Sequence, residues 1–214
     1  MTNPIRVDPA RMALVVVDYQ VGHVDRLPAA GSALPRVQRA VDDVRMRGGQ
    51  VAWVRMGLDD RQFEAIPATS VLAGMVTPAR RDELHANSAA TRIHEALSPR
   101  SSDIIVRKIR VGAFSTTDLH QQLKARGITI LVLAGISTSG AVLSTVREAM
   151  DLDYRVIVVG DGCADHDATA HAFLTGVLFP RHVTVIDAAH LRDLMPPPDP
   201  GRGSAARGWT APAP

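Results

Sequence analysis

Six short stretches of this chain are apolar at nearly every position, at 13–17, 51–54, 104–106, 130–133, 156–159 and 183–186, and most are rich in valine and isoleucine. A strand that faces water on one side alternates apolar with polar residues, so unbroken apolar runs predict strands covered on both faces, as in a parallel sheet. Between the runs the spacing lengthens to three and four residues: Leu34, Val37, Val41 and Val44, then Leu119 and Leu123, then Val142, Val146 and Met150. That is the period of a helix with one buried stripe. Strand and helix alternate along the chain. The pattern predicts an α/β fold, an open and mainly parallel sheet of about six strands with helices on both faces and right-handed crossovers.

The stretch 56–103 breaks this rhythm, with Pro67, Gly74, Pro78 and Pro99 in mixed polar sequence. Its two readings are a lid or pocket wall and an ordinary surface excursion. From position 196 the sequence PPPDPGRGSAARGWTAPAP has six prolines and three glycines among nineteen residues, too little apolar surface to offset ordering. A single domain is expected over 1–195, followed by a flexible Pro/Gly-rich tail over 196–214 in which Trp209 is incidental.

Composition narrows the class. Over 214 residues the chain is 46% hydrophobic, enough for a sizeable core. Twenty-four Lys and Arg against 22 Asp and Glu leave a formal charge of +2, too small an excess for a nucleic-acid footprint. The single cysteine, Cys163, excludes an internal disulfide and suits a reducing compartment. Residues 1–12 lack the apolar stretch of a secretory signal, and the longest uncharged run, 128–146, is broken by Ser, Thr and Gly. A cytoplasmic protein is expected, with a small-molecule substrate and no nucleic-acid or membrane partner.

In open α/β sheets ligands bind beyond the carboxyl ends of the strands. Three strand ends carry suitable chemistry: Asp18 after the first, with Gln20 and His23 close behind; Lys108 after the third, with Phe114 beyond it; and a small-residue turn after the fourth, reading Gly135-Ile136-Ser137-Thr138-Ser139-Gly140-Ala141. Each has a plain structural reading as well, in loop hydrogen bonding, solvation or helix capping. Convergence of all three on one crevice favours a site.

These segments, with Asp161-Gly162-Cys163-Ala164-Asp165, resemble the isochorismatase-like, or cysteine hydrolase, superfamily. Its pattern is an Asp ending strand one, a Lys ending strand three, and a Gly-x-x-Thr-x-x-Cys turn after strand four. The resemblance implies a triad in which the Asp takes the thiol proton, the Lys favours the thiolate, and the thiolate attacks a carbonyl or nitrile carbon. Asp18 and Lys108 match the first two positions, whereas Ala141 stands at the third, where a methyl group offers no nucleophile. Isochorismatases proper also lack this cysteine and cleave a vinyl ether with the Asp as general acid. Their turn carries an aromatic and a His after the glycine, which this chain lacks.

The resemblance further implies a cis peptide before Ser137 and an oxyanion hole built from the amides of Ser137 and Ala141. It also implies assembly as a dimer or tetramer. Cys163 is read as a packing residue. The Asp-x-His metal motif of the nicotinamidase branch is absent, since residues 55–60 read RMGLDD and the next histidine is His85. No metal or other cofactor is expected. The expected catalytic set is Asp18 and Lys108, with Ala141 as the vacant nucleophile position. The expected substrate contacts are Gln20, His23, Phe114, Ser137, Thr138 and Gly140. The function expected is a hydrolase acting on a small metabolite by non-covalent acid/base chemistry, with vinyl-ether cleavage as one form. The alternative is a catalytically silent homologue that binds a small molecule or serves as an oligomer subunit.

Overall fold

The computed structural model describes residues 6–196. The expected tail over 196–214, with Trp209, lies outside the described residues apart from Pro196. Six strands are formed by β1 (Met12–Val17), β2 (Gln50–Met56), β3 (Ile104–Lys108), β4 (Ile130–Ile136), β5 (Arg155–Ala164) and β6 (Thr184–Ile186). They pair in the order β3-β2-β1-β4-β5-β6, and every pairing is parallel. All six predicted runs are strands, and the open parallel α/β sheet is the fold expected.

The helices are α1 (Val21–Arg26), α2 (Pro28–Met46), α3 (Asp60–Glu64), α4 (Val71–Met75), α5 (Pro78–Leu84), α6 (Leu119–Ala125), α7 (Leu143–Asp151), α8 (Ala168–Phe173) and α9 (Ala188–Leu194). Side chains alternate across each strand, so consecutive β1 residues serve opposite cores. Met12, Leu14 and Val16 pack with Val37, Val41 and Val44 of α2 and Leu191 of α9. Ala13, Val15 and Val17 pack with Leu119 and Leu123 of α6 and Val146 of α7. All six β1 residues are buried. Full burial of a Val or Leu contributes roughly 1.5–3 kcal/mol, which is why a polar residue is tolerated only where the strand ends.

The chain runs outward from β1 through β2 to β3, then crosses back so that β4 lies on the other side of β1. This reversal opens a crevice between the carboxyl ends of β1 and β4, the usual ligand position in such sheets. The close β1–β4 approach depends on Gly135, where an added Cβ would lie 2.9 Å from the Val17 carbonyl oxygen and from Val142.

The segment 161–165 belongs largely to the sheet: β5 continues through it to Ala164. It bulges where Leu133 pairs with Val158 while Gly135 pairs with Cys163. The stretch 56–103 holds three short helices around a core of Met56, Leu58, Phe63, Leu72 and Leu84. Capping starts two of them: Asp59 and Gln62 form a reciprocal capping box for α3, and Ser70 caps α4. Short length and the small core explain why no long apolar period announced them.

Candidate active site

Asp18 is the first residue after β1. Its amide donates to the Val54 carbonyl at 2.8 Å, and its φ of 58° places it in the left-handed region, which Asp tolerates better than most side chains. This backbone reversal ends the strand and leaves the carboxylate at the crevice. Lys108 closes β3, paired with Met56, and its side chain brings the ammonium to Asp18, with Nζ 2.7 Å from Oδ2. Nζ also donates to the Val111 carbonyl at 2.6 Å. Lys108 is 1% exposed and Asp18 4%. A lysine this deeply buried requires partners of this kind, since an unpaired interior charge costs several kcal/mol.

The carboxylate is only half satisfied. Its Oδ1 is buried and has no hydrogen-bond partner among the described residues. A buried acceptor without a donor is costly, and its position here is informative: Asp18 and Lys108 line a cavity of about 330 Å³. The turn after β4 forms another wall through Ile136, Ser137, Gly140 and Ala141. There a single π-helical turn, Thr138–Val142, precedes α7, and the Ile136–Ser137 peptide is cis.

The residues around the turn hold it in place. The Ser139 amide donates to Asp165 Oδ2 at 2.6 Å, tying the turn to the end of β5. Burial works against the Asp165 carboxylate, but hydrogen bonds from Ser139 and the Asp167 amide outweigh it and hold its pKa below the ordinary value. Thr145 donates its hydroxyl to the Ala141 carbonyl at 2.7 Å. Cys163 lies behind the turn, wholly buried, and burial pushes its thiol pKa up to about 12, the opposite of an activated nucleophile.

His23 lies on the first turn of α1 and lines the cavity. Its Nδ1 is 3.1 Å from the Asp18 carbonyl oxygen. A carbonyl only accepts, so Nδ1 carries the proton and Nε2 of the neutral ring remains an acceptor. Burial pushes the His23 pKa below 6.5; Asp18 opposes that shift, while Arg26 and Lys108 add to it. The unfolded chain takes up a proton near pH 6.5 before the folded one does. Stability is therefore fully present above that pH and is lost as the pH falls through 6.5 toward the folded value. Thermal melts between pH 8 and 5 are expected to show this loss, and His23→Asn should flatten it.

Three expected substrate contacts do not reach the cavity. Gln20 is 2% exposed, with Nε2 donating to the carbonyls of Met56 and Thr91 at 2.8 and 2.9 Å and Oε1 accepting from the Met56 amide at 2.7 Å. It staples β2 to the 56–103 segment. Phe114 stacks on Tyr154 with ring centroids 6.0 Å apart. Thr138 is fully buried, its hydroxyl 2.8 Å from His171 Nδ1. The expected Asp18, Lys108, Ala141, His23, Ser137 and Gly140 do converge.

Other lining residues carried no signal in the sequence, among them Arg26 from α1, Val71, Leu72 and Met75 from α4, Arg80 and Leu84 from α5, and His166 after β5. The 56–103 stretch is thus a wall of the cavity. Among the described residues, no group of three or more His, Cys, Asp or Glu side chains is placed to hold a metal ion. No helix among them is long and apolar enough to cross a membrane.

An open parallel sheet with a buried Asp–Lys pair in its switch-point crevice makes an α/β scaffold with a small-molecule cavity, and comparison with known proteins specifies the family. The isochorismatase domain matches residues 12–190. This chain belongs to the isochorismatase family. The uncharacterized isochorismatase family protein YwoC of Bacillus subtilis is 30% identical over 181 residues, covering 85% of this chain and 92% of that protein. The ureidoacrylate amidohydrolase RutB of Methylobacterium radiotolerans is 34% identical over 185 residues, covering 78% and 71%. Among solved structures, an isochorismatase family protein from Burkholderia thailandensis superposes with a TM-score of 0.78 at 30% identity, over 90% of this chain and 98% of its own. A cysteine hydrolase from Pseudomonas syringae pv. phaseolicola shares the fold, with a TM-score of 0.80 at 22% identity, over 91% and 98%.

Proposed function

We propose that this chain hydrolyses a small metabolite by non-covalent acid/base chemistry centred on Asp18. The observation that carries the reading is the half-satisfied carboxylate of the cavity-lining Asp18, with Oδ2 2.7 Å from the Lys108 ammonium and Oδ1 buried without a donor among the described residues. A carboxyl group held this way is aimed at a proton on substrate or water. Lys108 anchors it and stabilises negative charge as the bond breaks. The amides of Ser137 and Ala141, from the cavity-lining turn that opens α7, are the oxyanion cradle this reading calls for.

Ala141 lines the same cavity, and on our reading of the turn it takes the position at which the cysteine branch carries its nucleophile. A methyl group forms no covalent intermediate, so water supplies the attacking oxygen. At an amide, the Asp18 carboxylate takes a proton from the attacking water and returns it to the departing nitrogen; at a vinyl ether, Asp18 in its protonated form gives its proton to the vinyl carbon and water then captures the oxocarbenium. The relationship to a protein named ureidoacrylate amidohydrolase supports including amides among the substrates tested.

The methyl group at Ala141 also favours a second reading, a silent homologue that binds without turnover. A panel of isochorismate, small amides and nitriles separates the two: the hydrolase reading expects multiple turnovers of at least one member, and the silent reading expects none.

The vacancy itself is testable in the variant Ala141→Cys. A thiol introduced near the Lys108 ammonium is expected to have a pKa below the ordinary 8.5 or so and to react with iodoacetamide at pH 7 faster than free cysteine. Cys163 stays unlabelled in the native state, which keeps the mass-spectrometric readout clean. Sluggish labelling with an ordinary pKa would mean that Lys108 does not act on that position.

A further inference from the structure

The cavity that holds Asp18 also holds two guanidinium groups that the proposed acid/base chemistry does not use. Arg26 lies three residues beyond His23 on α1, a spacing that puts both on one helix face, and Arg80 comes from α5. Glu83 pairs with Arg26, joining α1 to α5. Arg80 has no acidic side chain within salt-bridge distance among the described residues, and its Nε is buried without a hydrogen-bond partner. The two cations are close enough that, after burial, Arg80 is the next cause lowering the Arg26 pKa; Asp25 opposes it.

Asp18 and Lys108 cancel, Arg26 and Glu83 cancel, and the guanidinium of Arg80 remains. The rest of this wall is apolar, from Met56, Val71, Leu72, Met75 and Leu84. Arg80 is half-buried, and with its Nε out of water, unpaired and beside an apolar wall, it lacks its anion. A single uncompensated charge calls for a monoanion, and the planar fork matches the two oxygens of a carboxylate. A phosphate dianion would call for further cations or a nest of amides that this wall does not offer.

We infer that the cavity is a carboxylate-recognition site in which Arg80, with Arg26 behind it, binds the carboxylate of a substrate whose apolar or planar body lies against Met56, Leu72 and Met75. This rests on reading the cavity as the substrate site, and it names the substrate class: small monocarboxylic acids whose scissile bond reaches Asp18. Arg80 is then a specificity-determining residue, contacting a part of the substrate that does not react.

Binding tests this independently of turnover, with benzoate and its neutral isostere benzamide as probes in calorimetric titrations at low salt. The native protein and Asp18→Asn are both expected to bind benzoate at least about tenfold more tightly than benzamide. Arg80→Gln should abolish that preference. Arg39→Gln, on the surface of α2 away from the cavity, should leave it intact. Equal binding of the two probes by the native protein, a preference that survives Arg80→Gln, or one lost equally in Arg39→Gln would overturn the inference. A preference retained by a protein with no turnover on any substrate would sink the hydrolase reading and leave the carboxylate site standing.

Discussion

Asp18→Asn is expected to lower turnover of any substrate the native protein cleaves by about 100- to 10,000-fold, the usual contribution of a positioned acid or base. Asparagine is the informative replacement. It accepts the left-handed φ of 58° that ends β1, and its amide oxygen can still receive a hydrogen bond from Lys108. What it loses is the ability to exchange a proton. The loss should therefore fall on kcat with little change in KM. Circular dichroism and a retained benzoate preference would establish that the cavity survives. A variant within a few-fold of native activity would place the proton transfer elsewhere, with His23 the nearest alternative.

The second large effect concerns stability. Lys108→Met leaves a carboxylate that is 4% exposed without its counter-charge, and removing one partner of a buried pair costs about 3–5 kcal/mol. Asp18→Asn/Lys108→Met removes both charges and should recover most of that loss, because no charge is left buried and a neutral amide costs less to bury than an unpaired carboxylate. Guanidinium unfolding curves for the single and double variants measure the difference. The double variant should be the more stable protein and the inactive one. If the single substitution costs no more than the double, the pair is not buried as described.

The parallel sheet was legible because its strands are buried on both faces, and uninterrupted valine and isoleucine admit few other readings. Asp18 and Lys108 were legible for the complementary reason, as charged residues at the ends of apolar strands. The extension of β5 was not. The apolar run stops at Val159, and only pairing with β4 across a bulge carries the strand on through Gly160, Asp161 and Gly162. Gln20, Phe114 and Thr138 follow strand ends just as closely as His23 does, but nearness in sequence does not set side-chain direction. Gln20 turns back to the backbone of β2, and Phe114 to Tyr154. Arg26 and Arg80 carried no signal, being ordinary arginines on short helices until the 56–103 segment folds across the sheet ends and brings them into the cavity.

Chemistry through Asp18 without a covalent intermediate is tested most directly by intact-protein mass spectrometry on the native protein, acid-quenched during steady-state cleavage of the panel member it turns over fastest. The expected spectrum contains only the unmodified chain while product accumulates over many turnovers. A substrate-derived adduct that forms and decays at the rate of turnover would contradict it, showing that some side chain attacks where Ala141 has none to offer.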